Sequence, residues 1–270
     1  MNLLLPSSMC EFQRRFAERA AQQLHGDARV VALLLAGSAI SDDMDEFSDL
    51  DFIVVCQEQA LAEVLASKRQ IAESLGTLVA AFSGEHVGEP QLLICLYAEP
   101  LLHVDLKFVD ASALDRRVET PLVVWADAAT TARLQQGTAQ WPARDAEWFE
   151  ERFWIWVHYG LSKVGRGELF EAIAMLNFLR EQVVGPLLAR SQQRDQRGVR
   201  RLERHFPAQR QALAATLAGH DHAAVVAAYR AHIALYLSLR AAAVPANRKL
   251  DGEALVQHFL DSLDQATTHG

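Results

Sequence analysis

Strand-like apolar runs stop at residue 125, before the middle of this 270-residue chain, and from about Asp145 onward the periodicity is helical. That switch predicts an α+β protein: an α/β domain with a mixed sheet, then an all-α helical bundle. Val30 to Ala36 is a short continuous apolar run and reads as a buried strand. Leu50 to Val55, Gln91 to Tyr97, Leu101 to Val109 and Leu122 to Trp125 read as further strands, with residues 9–25 and 58–75 as helices among them. Glu99-Pro100 suits a tight antiparallel connection. Downstream, residues 145–164, 168–191, 196–218, 222–242 and 252–265 read as four or five helices, bounded or interrupted by breaks at Gly165 to Gly167, Gly198, Pro207, Gly219 and Pro245. The expected domains are 1–128 and 129–270, with Pro142 as a hinge between them.

Composition narrows the function classes. Half the residues are hydrophobic and 22% are charged, which supports a packed core and excludes disorder as the main state. No apolar run reaches the roughly 18 residues needed to span a bilayer, and no secretory signal pattern opens the chain. Cys10, Cys56 and Cys95 are odd in number, far apart and set among apolar residues. They read as small buried hydrophobes of a protein in a reducing cytoplasm. The net charge of −8 is unevenly spread. Residues 1–128 carry nine Lys and Arg against twenty Asp and Glu, whereas residues 129–270 carry seventeen against fourteen. An acidic front half argues against general duplex DNA binding and suits metal ions or a cationic substrate.

The acidity has a pattern. Between Leu35 and Val55 lie Gly37, Ser38 and six carboxylates: Asp42, Asp43, Asp45, Glu46, Asp49 and Asp51. Asp49 and Asp51 flank Leu50 at the start of a strand, so the period of two puts both carboxylates on one face and Leu50 in the core. Adjacent carboxylates repel unless a cation joins them, and Mg²⁺ takes one or two carboxylates together with substrate phosphates. Gly37 and Ser38 end the preceding strand, where a glycine lets backbone N–H groups approach phosphate oxygens and a hydroxyl adds a donor. A second piece is Leu101 to Val109, where His103, Asp105 and Lys107 share one strand face. A mid-strand carboxylate is unusual unless paired or metal-bound. If this strand lies beside Leu50 to Val55, Asp105 joins Asp49 and Asp51, and three carboxylates could hold two metal ions.

This arrangement resembles the signature of the polymerase-β-like nucleotidyltransferase superfamily: Gly-Ser after a hydrophobic strand, Asp-hydrophobic-Asp about ten residues later, and a third carboxylate on a later strand. Gly37, Ser38, Asp49, Asp51 and Asp105 carry the resemblance, over about a quarter of the chain. The helical half is similar, more weakly, to that of the small two-domain antibiotic nucleotidyltransferases that act on aminoglycosides or lincosamides. The resemblance implies transfer of a nucleoside monophosphate, usually AMP from ATP, to a hydroxyl of a small-molecule acceptor, with Mg²⁺ (two ions) held by Asp49, Asp51 and Asp105. It also implies that the helical half supplies a cation to the triphosphate. Arg152, Tyr159, Lys163 and Arg166 are candidates, and Lys163 is the first choice. Asp105, Glu168 and Glu171 remain open as the general base.

Other readings stay beside these. Asp42, Asp43, Asp45 and Glu46 read as a solvated loop, and His103 as a strand residue rather than a ligand. Trp148, Phe149, Phe153, Trp154 and Trp156 read as packing. Arg190, Arg194, Arg197, Arg201 and Arg204 recur at steps of four and three and would form a basic stripe if the segment were one helix. That stripe keeps open an RNA or protein acceptor, a further alternative being a non-catalytic nucleotide-binding or antitoxin-like protein. Oligomeric state, including a homodimer, is open.

Overall fold

The computed structural model describes residues 3–242 and 244–266. The chain divides into two compact units, one ending at Gln140 and the other beginning at Trp141. Among the described residues, no helix is long and apolar enough to cross a membrane.

The first unit is built on a mixed six-stranded sheet. In chain order its elements are α1 (Glu11–His25), β1 (Val30–Leu35), β2 (Leu50–Cys56), α2 (Leu61–Leu75), β3 (Leu78–Gly84), β4 (Glu89–Tyr97), β5 (Leu102–Asp110), β6 (Leu122–Ala126) and α3 (Ala128–Gln136). The strand order is β3-β4-β5-β2-β1-β6. Only β2 and β5 run parallel; β1 pairs antiparallel with both β2 and β6, and β4 with both β3 and β5. β2 and β5 are parallel because the chain crosses over between them through α2 and the β3–β4 hairpin, as a parallel pair requires.

One face of the sheet makes the core. Leu33, Leu35, Leu50, Phe52, Val54, Val104, Leu106 and Phe108 pack with Phe16, Ala20, Leu24, Val64 and Ala72 from α1 and α2. The other face has a smaller cluster at one end, where Ala32, Leu34, Val55, Val109 and Leu114 meet residues of α3 and of the 111–116 turn. Strand alternation therefore leaves Asp51 and Asp105 on this second face, two and four residues back from Ile53 and Val109.

β3 was not foreseen. Its Val79 and Phe82 are exposed, it lies at the sheet edge, and it lacks the apolar alternation that marks a half-buried strand. The first unit also runs beyond residue 128: α3 is held to the 111–116 turn by the paired hydrogen bonds of Arg133 to Asp115, 2.8 and 2.6 Å.

The second unit is all helical among its described residues: α4 (Ala146–Gly165), α5 (Leu169–Leu179), α6 (Gly185–Ser191), α7 (Leu202–His205), α8 (Arg210–Ala214), α9 (His222–Ala241) and α10 (Leu250–Ala266). Asp145 and Asp221 cap α4 and α9 by accepting from Trp148 N–H and Ala224 N–H. The core joins Phe153, Val157, Leu161, Leu176, Tyr229, Tyr236 and Leu260, with Phe153 stacked on Tyr236 at 3.7 Å between centroids. Inside it, Glu150 is 1% exposed and accepts from Tyr236, from both Arg240 contacts and from the Lys249 amide. The helix read over 168–191 is interrupted by one π turn, Arg180–Val184, between α5 and α6. The helix read over 196–218 is interrupted at two of the breaks expected in it, Gly198 and Pro207. Gly198 and Arg201 have positive φ, and Pro207 starts a new short turn, so the segment breaks into α7, a 3₁₀ turn and α8.

Candidate functional site

The sheet register brings the sequence motifs together. In the parallel pair β2–β5, Asp51 stands opposite Asp105. Neighbouring strands lie about 4.8 Å apart, so the two residues are side by side on one face. Asp49 immediately precedes β2 and is partly exposed, as are Asp51 and Asp105. The anchors beneath them are Leu50, Phe52, Val104 and Leu106, all at most 1% exposed. Those buried neighbours fix which way the carboxylates face, because slipping either strand by one residue would bury a charge.

Gly37 borders the same point. It opens a short 3₁₀ turn at the end of β1 with φ +64°. A Cβ added there would sit 2.0 Å from Oδ2 of Asp51, so glycine alone permits the close approach of this turn to the carboxylate. The Gly37 N–H donates to Oε1 of Glu119 at 3.0 Å. Ser38 is buried, 5% exposed. Glu119 carries no local sequence signal; it arrives because β6 pairs with β1, Leu122 opposite Leu35.

The acidic loop between the turn and β2 is not merely solvated. Asp42, with φ +50°, accepts from Ser7 Oγ at 2.5 Å and from both Ser8 N–H and Ser8 Oγ at 2.8 Å. The hydroxyl of Ser7 and then the amide and hydroxyl of Ser8 hold its carboxyl down at about 2. Gln13, fully buried in α1, donates to the carbonyls of Asp45 and Ser48 at 2.8 Å each. Asp45 also caps the turn through Phe47 N–H and Ser48 Oγ. These bonds staple the loop to the N-terminal segment and so deliver Asp49 and Asp51 in a set position.

Asp105 bonds His103, Nε2 to Oδ1 at 2.9 Å, whereas Lys107 pairs with Glu89 at 3.0 Å. The donor set Asp49, Asp51 and Asp105 is all carboxylate oxygen, the chemistry of a hard divalent cation. The registered pair Asp51–Asp105 fits the one or two carboxylates that Mg²⁺ takes from a protein. Among the described residues, no group of three or more His, Cys, Asp or Glu side chains converges to hold an ion in the arrangement seen.

In the second unit Lys163 is 13% exposed and clamped. It pairs with Glu171 at 3.1 Å and Glu168 at 3.3 Å, and its Nζ lies 5.0 Å from the Tyr159 ring centroid. Tyr159 Oη donates to Glu171 Oε1 at 2.5 Å. Hydrogen bonds from Tyr159 and then Lys163 hold the Glu171 carboxyl below its usual range, and Glu171 and Glu168 hold the Lys163 ammonium above its own. The cation and two base candidates read separately from the sequence are thus one ion-pair cluster. Arg166 reaches Glu168 at 3.7 Å, and Arg152 pairs with Glu151 at 3.1 Å beneath Trp148. The aromatic residues of α4 pack as expected: Phe149, Phe153 and Trp154 are buried, and Trp148 and Trp156 meet edge to face.

The arginine stripe does not exist as a helix face, because its segment is broken at Gly198 and Arg201. Arg197 stacks on Trp141 at 4.2 Å and pairs with Asp195, and Arg190 donates to the Arg144 carbonyl. Arg144, Arg197 and Arg200 instead line a cavity of about 420 Å³ with Trp141, Glu181 and Gln182. The three cysteines are free, and burial pushes the Cys56 and Cys95 thiols up to about 12.

No protein-family model and no curated protein sequence matches the chain. Among solved structures it is similar to an aminoglycoside 6-adenyltransferase from Bacillus subtilis, at 16% identity over 91% of this chain and 96% of that one, with a TM-score of 0.40. It is also similar to a nucleotidyltransferase-like protein from Exiguobacterium sibiricum, at 10% identity over 84% of this chain and 74% of that one, with a TM-score of 0.34.

Proposed function

We propose that this chain moves a nucleoside monophosphate, AMP from ATP as the first choice, onto a hydroxyl of a small-molecule acceptor, with release of pyrophosphate. The observation that carries the reading is the registered pair Asp51–Asp105 on parallel neighbouring strands, with Gly37 packed against Asp51. Two partly exposed carboxylates side by side repel each other, and a site built that way suits a cation.

Asp49, Asp51 and Asp105 are the residues that would hold Mg²⁺, which when bound neutralises charge on the phosphoryl oxygens and aligns the attacking and leaving oxygens. The Gly37 N–H, held in its left-handed turn, would donate to a phosphate oxygen on exchanging its bond to Glu119. Asp105 is the better base candidate. Its carboxylate bonds the His103 ring, which can carry a proton onward, whereas Glu171 already accepts from Tyr159 and Lys163. Lys163 would have to leave two carboxylates to meet a triphosphate, so phosphate binding is assigned to the first unit. The surplus acid of residues 1–128 favours a cationic acceptor of the aminoglycoside kind over RNA.

The test is a mass-spectrometric acceptor screen with ATP and Mg²⁺ over aminoglycosides, lincosamides, bulk RNA and bulk protein. The reading expects a nucleotide adduct on a cationic small molecule, stoichiometric with pyrophosphate. Adducts confined to RNA or protein would reassign the acceptor. ATP binding without pyrophosphate release across the panel would make the chain a binding module.

A further inference from the structure

Gly37 presents one amide to the site, and that amide is already engaged by a carboxylate. Its N–H donates to Glu119 Oε1 at 3.0 Å, while Asp51 Oδ2 fills the space where a Cβ would stand. Two acidic groups from distant parts of the chain therefore flank the same backbone donor. A phosphate oxygen seeking this donor must displace Glu119 and approach past its negative charge. Orthophosphate or a nucleoside monophosphate has one phosphate with which to offset that cost. A polyphosphate carrying a divalent cation arrives with reduced charge and gains contacts to Asp51 and Asp105.

Building on the nucleotidyl-transfer reading, we infer that Glu119 is a specificity-determining residue that restricts the Gly37 amide to metal-loaded polyphosphates and rejects orthophosphate, monophosphates and metal-free nucleotide. Glu119→Gln separates the two parts of its action. It keeps an oxygen acceptor for the Gly37 N–H and removes the charge; Glu119→Ala removes both.

The experiment is titration calorimetry of wild type, Glu119→Gln, Glu119→Ala and Asp51→Asn with orthophosphate, AMP, and ATP in Mg²⁺ or in EDTA, with thermal melts to check folding. The wild type binds ATP with Mg²⁺ and discriminates against AMP and metal-free ATP. In both Glu119 variants AMP and metal-free ATP tighten by about fivefold to tenfold, the size expected for removing one charged competitor, and the ATP–Mg²⁺ affinity changes less. Unchanged or weaker AMP and metal-free ATP binding in both variants would overturn the assignment. The reading beneath it fails separately: either no protein binds ATP with Mg²⁺, or Asp51→Asn binds it as tightly as the wild type.

Discussion

Replacing Gly37 by alanine probes the geometry on which the site depends. The residue has φ +64°, a conformation that costs an L-residue about 1–2 kcal/mol. Its new Cβ would also lie 2.0 Å from Asp51 Oδ2 and 3.2 Å from the Asp51 Cγ, so the carboxylate must turn aside. Forcing a side chain about 30° off its rotamer costs a further 0.5–1.5 kcal/mol or so. Gly88 is a matched control in the same unit: φ is +75° and nothing lies within 4 Å of an added Cβ. Gly88→Ala therefore carries the backbone cost alone. Near the melting temperature, 1 kcal/mol moves a unit of this size by about 3 °C. Differential scanning calorimetry is expected to show Gly37→Ala melting about 3 °C below Gly88→Ala. Nucleotide transfer should fall at least about tenfold in Gly37→Ala and stay within twofold of wild type in Gly88→Ala, as a displaced catalytic group costs on that scale. Equal melting of the two variants together with full activity in Gly37→Ala would refute the packing of the turn against Asp51.

Further outcomes follow from the same structure. Asp51→Asn abolishes transfer while the melting temperature stays equal or rises, because repulsion with Asp105 is relieved; steady-state assays and calorimetry check both halves. Glu150→Ala leaves the buried Arg240 with Glu253 alone, at 2.8 Å, takes the acceptor from the Tyr236 hydroxyl and the Lys249 amide, and should destabilise the second unit by about 1–3 kcal/mol in urea denaturation. His232, fully buried in α9, is kept neutral: burial pushes its pKa down to about 4 from 6.5. The unfolded chain binds that proton and the folded one does not, so stability is full above pH 6.5 and falls as the pH drops toward 4. Two and a half pKa units correspond to about 3 kcal/mol. Denaturation of His232→Leu between pH 4 and 7 should lose that slope, and an unaltered slope would locate the proton elsewhere.

What could be read from the sequence follows physical lines. β1, β2 and β5 were legible because burial on one or both faces writes itself as apolar runs or alternation. The edge strand β3, with Val79 and Phe82 exposed, leaves no such record. Asp49 and Asp51 announce themselves by a spacing of two, whereas the meeting of Asp51 with Asp105 depends on β2–β5 register, which no local pattern encodes. Glu119 was missed for that reason: it lies 82 residues from Gly37, and only the β1–β6 pairing brings it there. Asp42 is exposed, as a loop residue should be, but its anchors left no local trace, because Ser7 and Ser8 lie 35 and 34 residues upstream. In the second unit, Lys163, Glu168 and Glu171 stood within nine residues, yet the turn at Gly165 to Gly167 that folds them into one cluster gave no sign of it. The arginine stripe required helical continuity across Gly198, and the positive φ of Gly198 and Arg201 breaks it.

The central claim is transfer of the α-phosphorus with its nucleoside, and isotopic position tests it most directly. With ATP labelled separately in the α- and γ-phosphates, the account predicts that the α-label passes to the acceptor and the γ-label leaves in pyrophosphate, with both signals lost in Asp51→Asn and Asp105→Asn. A γ-label on the acceptor, or α-label transfer that survives both substitutions, would contradict it.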